Sequence, residues 1–407
     1  MLRNFLFGKP QALIILANSG MFIGNKINRM FFNAILFLFA GISALSCFDK
    51  AAPDSNDSKD QIQIAIEKSA GILIEDPKIN ALSVGVYKDG KKYTFHQGEL
   101  DPGKGNTPND STIYEIASVS KSFTGTLVAQ AILDDKLALE DDIRIYLEGQ
   151  YPNLEYDGQP ILIEHLITHT ACLPRFFPVE INELFNTIDD SLPSRIYDIE
   201  KDYSKEEFLT DLRSISIDTV PGTRYGYSNA DVELMAHILE RAYEFPFSEL
   251  LEKLICEKAG LRNTKAHLST KEADRLANGY GASNQPVPHF ANTLWGAGGG
   301  FKSTTSDLLK YMAYQLDVNN LAAQKSHELL YEDEYTQIAY LWPVTNDAED
   351  GTYYNIHGGA FGTQNFLVIV PKYKLGISII TNQSGPTTQE KLWNTVDKLL
   401  DEIKKSP

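Results

Sequence analysis

Cysteine is scarce in this 407-residue chain: Cys47, Cys172 and Cys256 are the only three, and they lie far apart. That excludes a disulfide framework and a four-cysteine zinc site, and leaves room for one bridge at most. Basic side chains are also few, 37 Lys and Arg against 54 Asp and Glu, for a net charge of −17 with no Lys/Arg cluster. Such a field repels a phosphate backbone, so nucleic acid is excluded as a partner. The eight histidines show no metal-ligand spacing, and no metal or other cofactor is expected. At 43% hydrophobic and 11% aromatic residues, the chain has enough apolar material to fold, which excludes disorder as its dominant state. No internal repeat is present.

Acidic residues are missing altogether from positions 1–46, which hold Arg3, Lys9, Lys26 and Arg29. Lys26 and Arg29 precede the apolar run Met30–Leu45, followed by small Ser46 and Cys47 and then by a polar tether over 47–60. The run is short for a membrane span, and the order of segments is that of a secretion signal over 1–46. An uncleaved N-terminal anchor is the alternative. A second apolar patch lies within residues 1–20, so Met21 or Met30 is an alternative start.

The roughly 345 residues that follow exceed one typical core, so a core with a large insertion is expected. Apolar spacing predicts a helix over Gln61–Ile74, and strands Ala81–Val86 and Tyr93–Phe95 around the turn Lys88-Asp89-Gly90-Lys91. At the other end it predicts strands Phe366–Val370 and Leu375–Thr381 and a helix over Thr388–Lys404. Between them lie helical patterns at 122–135, 161–168, 205–213, 231–243, 247–259 and 305–316. The fold class is therefore α/β (α+β). An antiparallel sheet from both chain ends is flanked by helices, within a domain spanning 61–404 that carries an inserted, mostly helical lobe at about 125–300.

Chemistry enters at Ser118-Val119-Ser120-Lys121, just ahead of an apolar helix. If Ser118 opens that helix, Lys121 lies one turn on and its amine reaches the hydroxyl. A helix start adds a favourable dipole and N–H groups for developing negative charge. A Tyr two residues before an Asn occurs at Tyr151/Asn153, Tyr227/Asn229 and Tyr353/Asn355. Tyr227 and Asn229 follow the turn Pro221-Gly222 and precede a helix, which favours them over the other two pairs. A Tyr beside a Lys ammonium has its phenolate favoured and becomes a base. The third element is His357-Gly358-Gly359-Ala360 ahead of the C-terminal strand pair, with His96-Gln97-Gly98 and Lys374-Leu375-Gly376 as rival spacings. Paired glycines weaken a strand, and close backbone approach by a substrate is a reason to keep them.

In this order the residues resemble the serine β-lactamase and penicillin-binding-protein superfamily, in the branch of class C β-lactamases, D-alanyl-D-alanine carboxypeptidases, D-aminopeptidases and esterases. Ile163–Thr170 ending in Leu173-Pro174 resembles the family string HLLTHTSGLP, with His165 and His169 in structural positions. Gly298–Thr304 with Asp307-Leu308 resembles GGLxST…DL. The resemblance implies a β-lactamase/transpeptidase-like fold with the active site between sheet and helical lobe. It implies Ser118 as nucleophile, Lys121 as its proton partner, Tyr227 as general base and Asn229 as a substrate contact. His357 and Gly359 take the first and third positions of the Lys-Thr-Gly motif, and the N–H groups of Ser118 and Ala360 form the oxyanion hole. Ala44-Leu45-Ser46-Cys47 resembles a lipoprotein signal, implying cleavage before Cys47, a lipid anchor on its sulfur and a periplasmic or cell-surface location.

Two departures from the pattern shape the functional expectation. His357 and Gly358 replace the lysine and hydroxyl residue that engage a penicillin carboxylate, which favours a peptidase or esterase acting on small-molecule or peptide substrates over a β-lactamase. A non-catalytic penicillin-binding-type sensor is the remaining alternative. Ala171-Cys172 replaces Ser-Gly, a change expected to affect local packing alone. Residues 174–205 lack periodicity and are expected to form an irregular lid or specificity loop.

Overall fold

The computed structural model describes residues 57–404; the expected signal segment and Cys47 lie outside them. At the centre is a six-stranded antiparallel sheet. From edge to edge it runs Val344–Asp347, Gly351–Gly359, Gln364–Val370, Leu375–Thr381, Ala81–Lys88 and Lys91–Gly98. The N-terminal hairpin joins the C-terminal strands through pairs such as Ser83 with Ile380. Asp89 and Gly90 both adopt positive φ in the hairpin turn, the geometry that matches strand twist.

Alternation along the strands divides the core in two. Leu82, Val84, Val86, Phe366, Val368 and Ile379 face the terminal helices Asp57–Ile74 and Thr388–Ile403. Leu367, Ile369 and Ile380 face the opposite way, toward Leu308, Leu309 and Met312 of the helix Thr305–Leu316. Gly85 and Gly376 let that helix lie close: a Cβ on either would come within 3 Å of Thr305 or Met312 side-chain atoms. Truncating a fully buried strand residue such as Ile379 to alanine costs about 2–5 kcal/mol, because the sheet closes only partly over the space left.

The helix Ser120–Leu133 is buried on every side along its first ten residues, as its lack of a polar face dictates. Ser122 donates to the Val119 carbonyl and Thr126 to the Ser122 carbonyl, while Thr124 reaches the Ala297 carbonyl. Phe123 stacks on Tyr311 at 3.8 Å. The other helical patterns appear at Ile163–Ile167, Lys205–Leu212, Asn229–Tyr243 and, without interruption, Phe247–Ala259.

Two local expectations are corrected. Ser118 does not open the long helix; it sits in a separate 3-10 turn, Ala117–Val119, that leads into it. Residues 174–205 are not irregular throughout, since they contain the helices Ile181–Leu184 and Leu192–Glu200. Ile181, Leu192 and Ile196 form a small core with Phe361, contributed by the turn after the His357 strand. That partner is distant in sequence, so the spacing within the segment carries no period.

Candidate active site

Ser118 is held by short-range backbone geometry. The Ile116 N–H donates to the Phe301 carbonyl at 3.0 Å, and the Phe301 N–H donates to the Ser120 hydroxyl at 3.1 Å. Ala117, immediately before the serine, has φ +45°, a conformation that costs a non-glycine residue about 1–2 kcal/mol. Such strain persists only where the surroundings enforce it. Here it turns the hydroxyl toward the Tyr227 oxygen, 2.7 Å away.

Lys121, one turn on, brings its ammonium to 3.4 Å from the same hydroxyl. It also donates to Asn229 Oδ1 at 2.6 Å and to the Gly298 carbonyl. Both acceptors are fixed in turn. Asn229 begins the helix Asn229–Tyr243, capped by Ser228, whose Oγ accepts the Asp231 N–H. Buried Glu233 of that helix accepts the N–H groups of Trp295 and Gly298, at 3.0 and 2.8 Å, and so clamps the glycine-rich segment under the lysine. Asn229 itself lines the cavity over Ser118.

Opposing effects set the state of Tyr227. Burial opposes the phenolate, while the Lys121 cation, hydrogen bonds from Lys121 and Ser118, and the Arg175 guanidinium favour it. The favourable set prevails and holds the tyrosine below its ordinary pKa. Arg175 lies 5.3 Å from the centre of the Tyr227 ring. Neighbouring Tyr225 is pushed up, because burial and the Tyr227, Asp231 and Asp333 charges outweigh the help it too receives from Arg175.

The string Ile163–Pro174 supports the tyrosine loop. The Gly226 N–H donates to the His169 carbonyl, the Gly222 N–H to the Thr170 carbonyl, and the Ser228 hydroxyl to the Pro174 carbonyl. The His169 ring sits 4.7 Å from that of Tyr227 and its Nδ1 is 3.1 Å from Asp231. The Ser228 N–H points at that same Nδ1 from 3.4 Å. Burial accounts for both directions, raising the Asp231 carboxyl well above its usual range and lowering His169. His165 alone lies on the helix; His169 follows it with φ +59°. Cys172 occupies φ +63°, so the replacement of glycine there affects the backbone and not packing alone.

His357, Gly359 and Ala360 line the same cavity as Ser118 and Tyr227. The His357 Nε2 bonds to Gln364 Oε1 at 2.6 Å, and Gln364 donates on to Ser384 at 2.8 Å. Burial lowers the imidazole to about 4 against the pull of that hydrogen bond, so it is neutral at pH 7. Gly358 answers to the protein and not to a substrate: a Cβ there would sit 2.3 Å from the Ile116 carbonyl oxygen and 2.4 Å from the Asn365 amide. The expected oxyanion donor at Ala360 is also corrected, because its N–H already donates to the Thr363 carbonyl at 2.8 Å. That bond closes the hairpin, and the turn must yield before this N–H can serve a substrate.

The rival residues are structural. Tyr151 is buried and donates to the Leu209 carbonyl; Tyr353 packs against the core under the terminal helices. His96 bridges Ser83 and Asp110. Arg175, His169, Asp231 and Glu233 complete the site. His169 is marked as a structural member of the Ile163–Thr170 string, and Asp231 and Glu233 only by their closeness to Asn229.

A serine following a strained alanine, beside a tyrosine and a lysine and set between an antiparallel sheet and a helical lobe, defines the serine hydrolases of the β-lactamase and carboxypeptidase superfamily. The family model described as Beta-lactamase matches residues 69–402, and the chain belongs to that family. It is 24% identical over 355 residues to a Beta-lactamase of Providencia stuartii, covering 78% of this chain and 86% of that protein. It is 22% identical over 336 residues to the D-alanyl-D-alanine-carboxypeptidase/endopeptidase AmpH of Escherichia coli K12, covering 77% and 83%. A solved class C beta-lactamase superposes with a TM-score of 0.72 at 19% identity, covering 86% of this chain and 98% of that one.

Proposed function

We propose that the protein is an exported serine hydrolase that acts through an acyl-enzyme on amides or esters. The observation that carries this reading is the 2.7 Å contact between Ser118 Oγ and the Tyr227 oxygen, with Lys121 beside both. Tyr227 as phenolate takes the Ser118 proton, Oγ attacks the substrate carbonyl carbon, and the leaving group departs with that proton. Water, deprotonated at the same site, then releases the acid. Lys121 holds the charge balance, Asn229 and Gly359 border the substrate, and the Ser118 N–H stabilises the oxyanion.

Peptidase or esterase action is placed ahead of β-lactam hydrolysis because neutral His357 and Gly358 offer a substrate carboxylate neither a cation nor a hydroxyl. The β-lactamase reading is favoured by the Providencia stuartii relative. Export and a lipid tether at Cys47 are inferred from the N-terminal sequence. Full-length protein and its Ser118→Ala variant are to be incubated with a chromogenic ester, a D-alanyl dipeptide and a fluorescent penicillin. Ser118-dependent turnover of the ester or dipeptide is expected, with the penicillin poorly turned over. Turnover that persists in the variant overturns the mechanism.

A further inference from the structure

The cavity above Ser118 extends far beyond the reacting groups, to about 460 Å³. Its outer walls are Phe176, Phe185, Ile188 and Leu192 together with Phe290 and Phe361. Phe176 stacks on Phe185 at 5.2 Å, and Phe290 meets Phe361 edge-on at 4.8 Å. The roof formed by residues 176–200 is pinned twice to the 283–293 loop. Ser283 donates to Asp190 at 2.8 Å, and Thr293 donates to the Glu200 carbonyl at 3.1 Å.

We propose that this roofed cavity binds the acyl portion of the substrate, and that the substrate is an ester or amide with an uncharged, apolar acyl group much longer than acetyl. The inference rests on the acyl-enzyme reading above. Aromatic and branched walls reward apolar area and give no polar partner along most of their length. Charge points the same way: Asp189 and Asp190 line the cavity against one guanidinium, Arg175, which lies over the Tyr227 ring. An acyl chain ending in a carboxylate meets repulsion there. A pinned roof suits the acyl group in particular, since that group stays bound while the leaving group departs and water enters.

The test is a series of 4-nitrophenyl esters from acetate to octanoate, assayed with the full-length chain and with Phe185→Ala and Ile188→Asp. The kcat/KM of the wild type is expected to rise about tenfold or more from acetate to octanoate. Both variants are expected to cut the octanoate-to-acetate ratio at least fivefold, a ratio in which the fraction of active protein cancels. A companion series of acetate esters with lengthening alcohols is expected to stay flat. A flat or falling acyl profile in an enzyme that hydrolyses acetate leaves the acyl-enzyme reading intact and overturns this inference. So does a preference that follows the alcohol chain, or a ratio unchanged in both variants. Absence of any Ser118-dependent hydrolysis overturns both.

Discussion

The Tyr227 oxygen is 2.7 Å from Ser118 Oγ, closer than the Lys121 ammonium at 3.4 Å. Tyrosine is thus the nearer proton acceptor and lysine the charge that makes it one. Tyr227→Phe and Lys121→Ala are each expected to slow acylation by ~10²-fold or more, with the double variant little worse than the poorer single one. Stopped-flow acylation checks this; losses that multiply would assign the two residues independent roles.

Arg175 adds a second positive charge beside the tyrosine ring. Its removal in Arg175→Met withdraws part of what favours the phenolate, so the Tyr227 pKa rises. The base is active when deprotonated, and the ascending limb of the kcat/KM profile is therefore expected to shift to higher pH. A profile that keeps its shape while falling in height would limit Arg175 to shaping the cavity.

The turn that carries Ala360 rests on a backbone contact. A Cβ at Gly362 would lie 2.4 Å from the Gly279 backbone, and the Tyr280 N–H reaches the Gly362 carbonyl at 3.3 Å. Gly362→Ala has no yielding side chain to displace, and is expected to cost about 1–3 kcal/mol of stability and to lower turnover. Thermal unfolding and ester hydrolysis, measured on the same preparation, check both.

Glu200 supplies a pH test. Burial, and then the neighbouring Glu233 charge, raise its carboxyl to about 7, above the ordinary 4.5 of the unfolded chain. The folded state therefore binds this proton more tightly. The cost of ionisation is full above pH 7, shrinks as pH falls and vanishes below about 4.5. Glu200→Gln is expected to raise the thermal midpoint more at pH 8 than at pH 5. An equal gain at both would mean that Glu200 ionises freely in the fold.

Elements at the chain ends were legible because their signals are local. The unbroken apolar run Phe366–Val370 reads as a strand buried on both faces, the 3.6-residue spacing of 305–316 reports one buried face, and the structure places both elements at those positions. Ser118 and Lys121 were legible for the same reason, being one turn apart. What stayed hidden depends on contacts across the chain. The helix Leu192–Glu200 packs on Phe361, Arg175 gains its meaning from Tyr227, and the Ala360 N–H is spent on Thr363. Gly358 shows how a sound local argument can name the wrong neighbour: the close approach is real, but it is made by the Ile116 carbonyl.

The pairing of the two chain ends also governs when the fold can exist. Lys88 has its neighbour in Leu375, and Leu82 in Thr381, so the first strand of the sheet to be synthesised gains its inner partner only when the last one emerges. Contacts of such long sequence separation form late and slowly. Until then the inner edge of the N-terminal hairpin has no strand beside it, and the sheet cannot be completed before synthesis is nearly finished.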